Sequence, residues 1–104
     1  MNIIIVGAGK VGFNLAKTLS IRHNVIIIDK NDKALQRIKE SIDILALKGD
    51  VEDLKTYINL PYTNVDLFIA VTNIDNVNLI SSLIIDNVFN VGRKFIRLQK
   101  HFYD

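Results

Sequence analysis

Along the chain, short unbroken apolar runs alternate with stretches in which apolar residues recur every three or four positions. That alternation predicts parallel βαβ units rather than hairpins. Asn2-Ile3-Ile4-Ile5-Val6 and Asn24-Val25-Ile26-Ile27-Ile28-Asp29 predict strands over 2–6 and 24–29, nearly continuous in Ile and Val as in a sheet covered on both faces. Between them, a helix over 10–21 gathers Val11, Leu15, Thr18 and Leu19 on one side and turns Lys10, Asn14 and Lys17 to water. A second helix over 31–41 gathers Leu35 and Ile38 with Ile42 just beyond, leaving Lys33, Arg37 and Lys39 outside. Asp43 to Lys48 reads as a third strand stopped by Gly49-Asp50, and Val51 to Ile58 as a short helix followed by the only proline, Pro61. Val65 to Thr72 is the expected fourth strand, followed by a helix to about Asn90, and Lys94 to Gln99 is the expected fifth strand.

Right-handed crossovers then favour a strand order of 3-2-1-4-5. The expected fold class is α/β, a Rossmann-like doubly wound parallel sheet whose ligand crevice lies at the carboxyl ends, where strands 1 and 4 meet. No repeat or linker interrupts the 104 residues, so residues 1–104 are expected to form one domain. The sixth strand of a complete unit has no counterpart, which leaves strand 5 as an expected edge.

The chemistry gathers at those carboxyl ends. The first strand runs straight into Gly7-Ala8-Gly9-Lys10-Val11-Gly12. In this Gly-x-Gly-x-x-Gly turn the first glycine serves a tight turn, the second keeps side-chain atoms away from a pyrophosphate, and the third lets the following helix pack closely. That helix aims its free N–H groups at the anion. Asp29 follows Gly9 by 20 residues at the end of the second strand, the spacing at which an acid accepts hydrogen bonds from an adenosine ribose. Asp29 disfavours a 2′-phosphate, although the adjacent Lys30 weakens that exclusion. Gly49-Asp50-Val51 suits either the adenine edge or a cap for the third helix, and Thr72 and Asn73 suit either ribose and phosphate contacts or an N-cap for the fourth. The expected ligands are NAD or NADH, or alternatively ATP, ADP or AMP.

Composition removes other classes. Apolar residues make up 49% of the chain, but no apolar run approaches the roughly 20 residues of a membrane span. The opening Met-Asn-Ile-Ile-Ile lacks the basic flank and cleavage site of a signal peptide, so a cytoplasmic chain is expected. There is no cysteine, and the two histidines, His23 and His101, read as solvated or capping side chains rather than metal ligands. A net charge of +2 without an interleaved basic and aromatic stripe argues against nucleic acid as a partner. The charge is uneven, with Arg93, Lys94, Arg97 and Lys100 facing only Asp104 near the C-terminus, either a solvated edge or a partner-facing tail. A cofactor domain of an NAD-dependent oxidoreductase is the alternative reading. No Tyr-x-x-x-Lys pair and no histidine at the end of strand 4 or 5 supports it.

Together, Gly7-Ala8-Gly9-Lys10-Val11-Gly12, Ile28-Asp29-Lys30, Gly49-Asp50-Val51 and Ala70-Val71-Thr72-Asn73-Ile74-Asp75-Asn76-Val77-Asn78 resemble the N-terminal nucleotide-binding domain of TrkA-type potassium-uptake proteins, also called KTN or RCK domains. The last two motifs separate that family from dehydrogenases. The resemblance implies a ligand-sensing regulatory domain rather than an enzyme, peripheral to the inner face of the membrane through a potassium transporter or channel subunit. It carries Gly7, Gly9, Gly12, Asp29, Asp50, Thr72 and Asn73 over as ligand-site positions. Phe13 and Asn76 depart from the family, which often has Arg and Glu there, and the first departure weighs against a triphosphate preference. Val77, Leu79, Ile80, Leu83, Ile84, Ile85, Val88 and Phe89 make an apolar band wider than one sheet face needs, so a homo-oligomer formed through the fourth helix and fifth strand is expected.

Overall fold

A computed structural model describes residues 1–99, so Lys100, His101 and Asp104 lie outside the described residues. The elements follow in the order β1 (Asn2–Val6), α1 (Lys10–Leu19), β2 (Asn24–Asp29), α2 (Asp32–Ser41), β3 (Leu45–Lys48), α3 (Lys55–Ile58), β4 (Val65–Ala70), α4 (Asp75–Ile84) and β5 (Val91–Ile96). All strand pairs are parallel, in the order β3-β2-β1-β4-β5. This is the Rossmann-like sheet, and its reversal point between β1 and β4 opens the crevice at their carboxyl ends.

The strand period of two divides the apolar runs between two layers. Ile4, Val6, Ile26, Ile28, Phe68 and Ala70 pack towards Tyr57 of α3 and towards Ile85 and Phe89 beyond α4. Ile3, Ile5, Ile27 and Ile69 pack the other way, with Ala16 of α1 and Leu35 and Ile38 of α2. Because both faces are covered, no polar residue interrupts the centre of β1 or β2, which explains their continuous Ile and Val.

Several boundaries move. α1 ends at Leu19 rather than 21, and α2 begins at Asp32 because Asn31 caps it, accepting a hydrogen bond from the Ala34 N–H at 2.9 Å. β3 starts at Leu45 rather than 43, and β4 ends at Ala70 rather than 72. The third helix is only Lys55–Ile58, and Asp53, not Asp50, accepts the Lys55 N–H at 2.9 Å. β5 starts at Val91 rather than Lys94, because Val91 pairs with Val65 and Ile96 with Ala70. Lys94 is therefore inside the strand, its ammonium bound to the Ser82 carbonyl and the Asp86 carboxylate beside α4.

The expected apolar surface on the fourth helix and fifth strand is also divided. α4 gives way to a 3-10 turn at Ile85–Asn87, where Ile85 is fully buried, whereas Ile80 and Leu83 are 41% and 67% exposed. Phe95 is exposed too, but it stands beside Ile69, whose side chain belongs to the layer under α1 and α2. Sheet alternation thus sends Leu83 and Phe95 to opposite faces. Among the described residues, no helix is long and apolar enough to cross a membrane.

Candidate nucleotide site

The three glycines of the first turn have three different physical reasons. Gly7 adopts φ +106°, and a Cβ there would lie 2.9 Å from the Thr72 nitrogen, so both conformation and space require glycine. At Gly12 a Cβ would lie 1.8 Å from the Gly7 carbonyl oxygen, because α1 packs directly against the turn. Gly9 differs: a Cβ there meets no protein atom within 4 Å. Nothing in the protein itself demands glycine at that position. Its lack of a side chain keeps space clear in front of α1, whose first-turn N–H groups have no intrahelical acceptors. That cradle fits a phosphate.

Asp29 stands beside the turn and shapes it. Its Oδ2 accepts the Ala8 N–H at 2.8 Å and its Oδ1 accepts the Asn31 N–H at 2.9 Å. A carboxylate has about four acceptor sites, so capacity remains for ribose hydroxyls. Ala8 spends its own N–H on Asp29 rather than on a ligand.

The loop after β4 is built around a residue that sequence reading quoted within a motif but did not single out. Asn78 of α4 is fully buried, and its Oδ1 accepts the Thr72 N–H at 2.9 Å and the Thr72 hydroxyl at 2.7 Å. Its Nδ2 donates to the Thr72 carbonyl at 3.1 Å and the Arg97 carbonyl at 2.9 Å. One amide therefore ties the β4–α4 loop to the end of β5. Thr72 is not the N-cap of α4; that position is Ile74, although the Thr72 hydroxyl accepts the Ile74 N–H at 3.2 Å. Asp75 adds a second tie, its Oδ1 accepting the Gln99 N–H at 2.9 Å.

The third wall follows β3. Gly49 donates to the Asp29 carbonyl at 3.1 Å, and Asp50 Oδ1 accepts the Glu52 N–H at 2.9 Å, forming a side-chain turn ahead of α3. Beneath it the buried Tyr57 hydroxyl donates to the Val51 carbonyl. Burial first, then the charges of Asp50 and Glu52, push that hydroxyl well above its ordinary value, so it stays protonated and keeps donating.

These walls enclose a crevice with two lobes, of about 230 Å³ and about 490 Å³, which share Gly7, Asp29, Thr72 and Asn73. The smaller adds Lys30, Gly49, Asp50 and Val51; the larger adds Gly9, Lys10 and Val11. Ala8 and Gly12 line neither lobe. Ile28, Val71, Ile74 and Val77 line the lobes from within the motifs the sequence singled out, whereas Glu52 in the smaller lobe and Asn31, Ala34, Arg37 and Arg97 in the larger were missed. Arg37 is exposed, as its place on the outer side of the helix predicts, and it borders the larger lobe from there. The available signal was its spacing: Arg37 follows Ala34 by one helical turn, and both lie on the stripe that leads back to the cap at Asn31. Among the described residues, no cluster of three or more His, Cys, Asp or Glu could hold a metal ion.

The TrkA-N domain family model matches residues 3–101, and the chain belongs to that family. It is 41% identical over 83 residues to a Trk system potassium uptake protein TrkA homolog of Archaeoglobus fulgidus, a match covering 80% of this chain and 19% of that protein. Over 99% of its length it is 30% identical to the Trk system potassium uptake protein TrkA of Azorhizobium caulinodans, of which it covers 23%. The chain thus spans about a fifth of the length of these curated relatives. Among solved structures it is similar to a 3-hydroxyacyl-CoA dehydrogenase of Archaeoglobus fulgidus, with a TM-score of 0.65, 20% identity, and coverage of 88% of this chain and 32% of that one. That likeness concerns the fold.

Proposed function

We propose that this TrkA-N domain binds NAD(H) or an adenine nucleotide in the two-lobed crevice and, through its occupancy, regulates a membrane potassium transporter or channel subunit from the cytoplasmic side. The observation that carries the ligand reading is Gly9, a glycine that the protein's own packing does not require and that clears the space in front of α1. Adenosine enters the smaller lobe against Ile28, Val51 and Val77, with its ribose on Asp29 and its first phosphate over Gly9. The names of the relatives supply the potassium-uptake context. A sensing role rather than hydride transfer fits the walls, since none of the residues lining either lobe is His, Tyr or Cys.

Asp29→Ala tests the ribose contact. Losing a charge-assisted hydrogen bond costs roughly 1.5–3 kcal/mol, so adenine-nucleotide affinity should fall about ten-fold or more. Because the substitution also frees the Ala8 N–H, the decisive comparison uses the 2′-deoxy ligand. The wild-type chain should bind it about ten-fold more weakly than the ribo form, and Asp29→Ala should bind the two alike. An equal deoxy penalty in both proteins would remove Asp29 from the ribose site.

Self-association through Ile80 and Leu83 of α4 belongs to the same proposal, with Ile85 excluded because it is core. Leu83→Lys should convert an oligomer sedimenting at micromolar concentration to a monomer with its unfolding midpoint unchanged. A wild-type monomer at that concentration would contradict the assignment.

A further inference from the structure

Thr72 and the chain beyond β5 are joined through one side chain. The N–H, hydroxyl and carbonyl of Thr72 all bond to the amide of Asn78, at 2.9, 2.7 and 3.1 Å, and the same amide donates to the Arg97 carbonyl at 2.9 Å. An amide is planar, so Thr72 cannot shift without turning it and drawing its Nδ2 away from Arg97. Asn78 is fully buried, so a lost bond leaves the amide unsatisfied rather than hydrated. A second tie runs beside the first. Gln99, in the amide orientation that satisfies both of its groups, donates to the Asn73 carbonyl at 3.2 Å and accepts from the Arg97 guanidinium at 2.7 Å, while its backbone N–H is held by Asp75 at 2.9 Å. The loop after β4 and residues 97–99 thus form a clamp whose two halves have different surroundings. Thr72, Asn73, Ile74 and Val77 line the smaller lobe, whereas none of residues 97–99 does.

We propose that this clamp carries the occupancy of the smaller lobe to the segment by which the chain leaves the sheet, with Asn78 as the positioning residue that couples the two. The inference rests on the adenine-nucleotide reading above and gives its regulation a route. An adenosine seated against Asn73 and Val77 restricts the loop after β4, and a restricted loop holds the Asn78 amide against both Thr72 and Arg97. Fewer openings of the loop then mean fewer openings at residues 97–99, and by linkage an intact clamp favours the adenosine by the same factor. The Arg97 side chain also lines the larger lobe, where a phosphate would reach it by direct contact. Adenosine alone, without phosphates, isolates the relayed effect.

The test is amide hydrogen exchange of the full chain with and without saturating adenosine, with calorimetry to establish saturation, in the wild type, Asn78→Ala and Gln99→Ala. In the wild type adenosine should slow exchange at the backbone amides of Thr72 and Gln99 together, each about five-fold or more. In Asn78→Ala at saturation the slowing at Gln99 should disappear. A merely structural Asn78 would speed exchange with and without adenosine alike and leave the ratio of the two rates at its wild-type value. Gln99→Ala removes an exposed side chain that lines neither lobe, so the fold stands, and adenosine affinity should nevertheless fall about three-fold or more. That variant decides the matter should Asn78→Ala not fold. Slowing at Thr72 without slowing at Gln99 in the wild type would overturn the relay, as would an undiminished ratio at Gln99 in Asn78→Ala or an unchanged adenosine affinity in Gln99→Ala. Absence of both binding heat and slowing in the wild type would overturn the nucleotide reading beneath it, a result distinguishable from the others.

Discussion

Gly9→Val should abolish nucleotide binding and leave the fold standing, whereas Gly12→Ala should unfold the protein before binding can be asked about. The asymmetry follows from what each missing Cβ would meet. At Gly9 the branched side chain projects into open space, and the backbone there, φ −73° and ψ −164°, is extended geometry that valine adopts readily. The cost to stability is the loss of a favourable N-cap residue, at most about 1 kcal/mol. The cost to binding is the volume of an isopropyl group where a phosphate would rest, expected to lower affinity about 100-fold or more, equivalent to roughly 3 kcal/mol. At Gly12 a Cβ 1.8 Å from the Gly7 carbonyl oxygen can be relieved only by moving the helix or the turn. Overpacking of backbone on backbone should cost about 3 kcal/mol or more, a large part of the stability of a small domain. Urea unfolding without ligand and calorimetry with it separate the two effects. Wild-type affinity in Gly9→Val would show that no phosphate passes over the turn.

Asn78→Ala should be strongly destabilising although it touches no ligand. Its amide satisfies the N–H and carbonyl of Thr72 and the carbonyl of Arg97, and three backbone groups lose their partner at once. Leaving buried polar groups unpaired costs about 1–3 kcal/mol each, and allowing for water reaching the loop the expected total is about 3 kcal/mol. Asn78→Leu distinguishes hydrogen bonding from packing. It restores the volume but none of the bonds, so it should be as unstable as the alanine variant. Recovery of wild-type stability in the leucine variant would mean that the amide only fills space. Hydrogen exchange at the Thr72 amide should accelerate in both variants, because the loop between β4 and α4 opens at lower free energy.

The layout of the sheet was legible in the residues because it depends on local pattern. Unbroken Ile and Val runs specify strands covered on both faces, 3.6-residue periodicity specifies the helices between them, and right-handed crossovers leave few ways to order the strands. The glycine turn and Asp29 were legible for the same reason, each being tied to a strand end by short spacing. Boundaries were weaker where side chains rather than pattern decide them. β5 begins at Val91 because that residue pairs with Val65, a long-range match that no local window contains. The division of the apolar band was invisible too, since whether Leu83 and Phe95 share a surface depends on which face of the sheet each element occupies.

The sequence by itself determined the α/β class, the strand order and eleven of the residues that line the two lobes, because these follow from chain-local chemistry and the handedness of its connections. Only the tertiary structure decided what the crevice is like inside. Arg37 reads as a solvent-facing residue on one helix and Arg97 as part of a basic tail, and their convergence with Lys10 requires three elements to be in place at once. The motif assigned Gly7, Gly9 and Gly12 separate roles in advance, but only the fold shows the cause: two are filled against by the protein's own backbone and one is left open, a difference that packing across the fold creates.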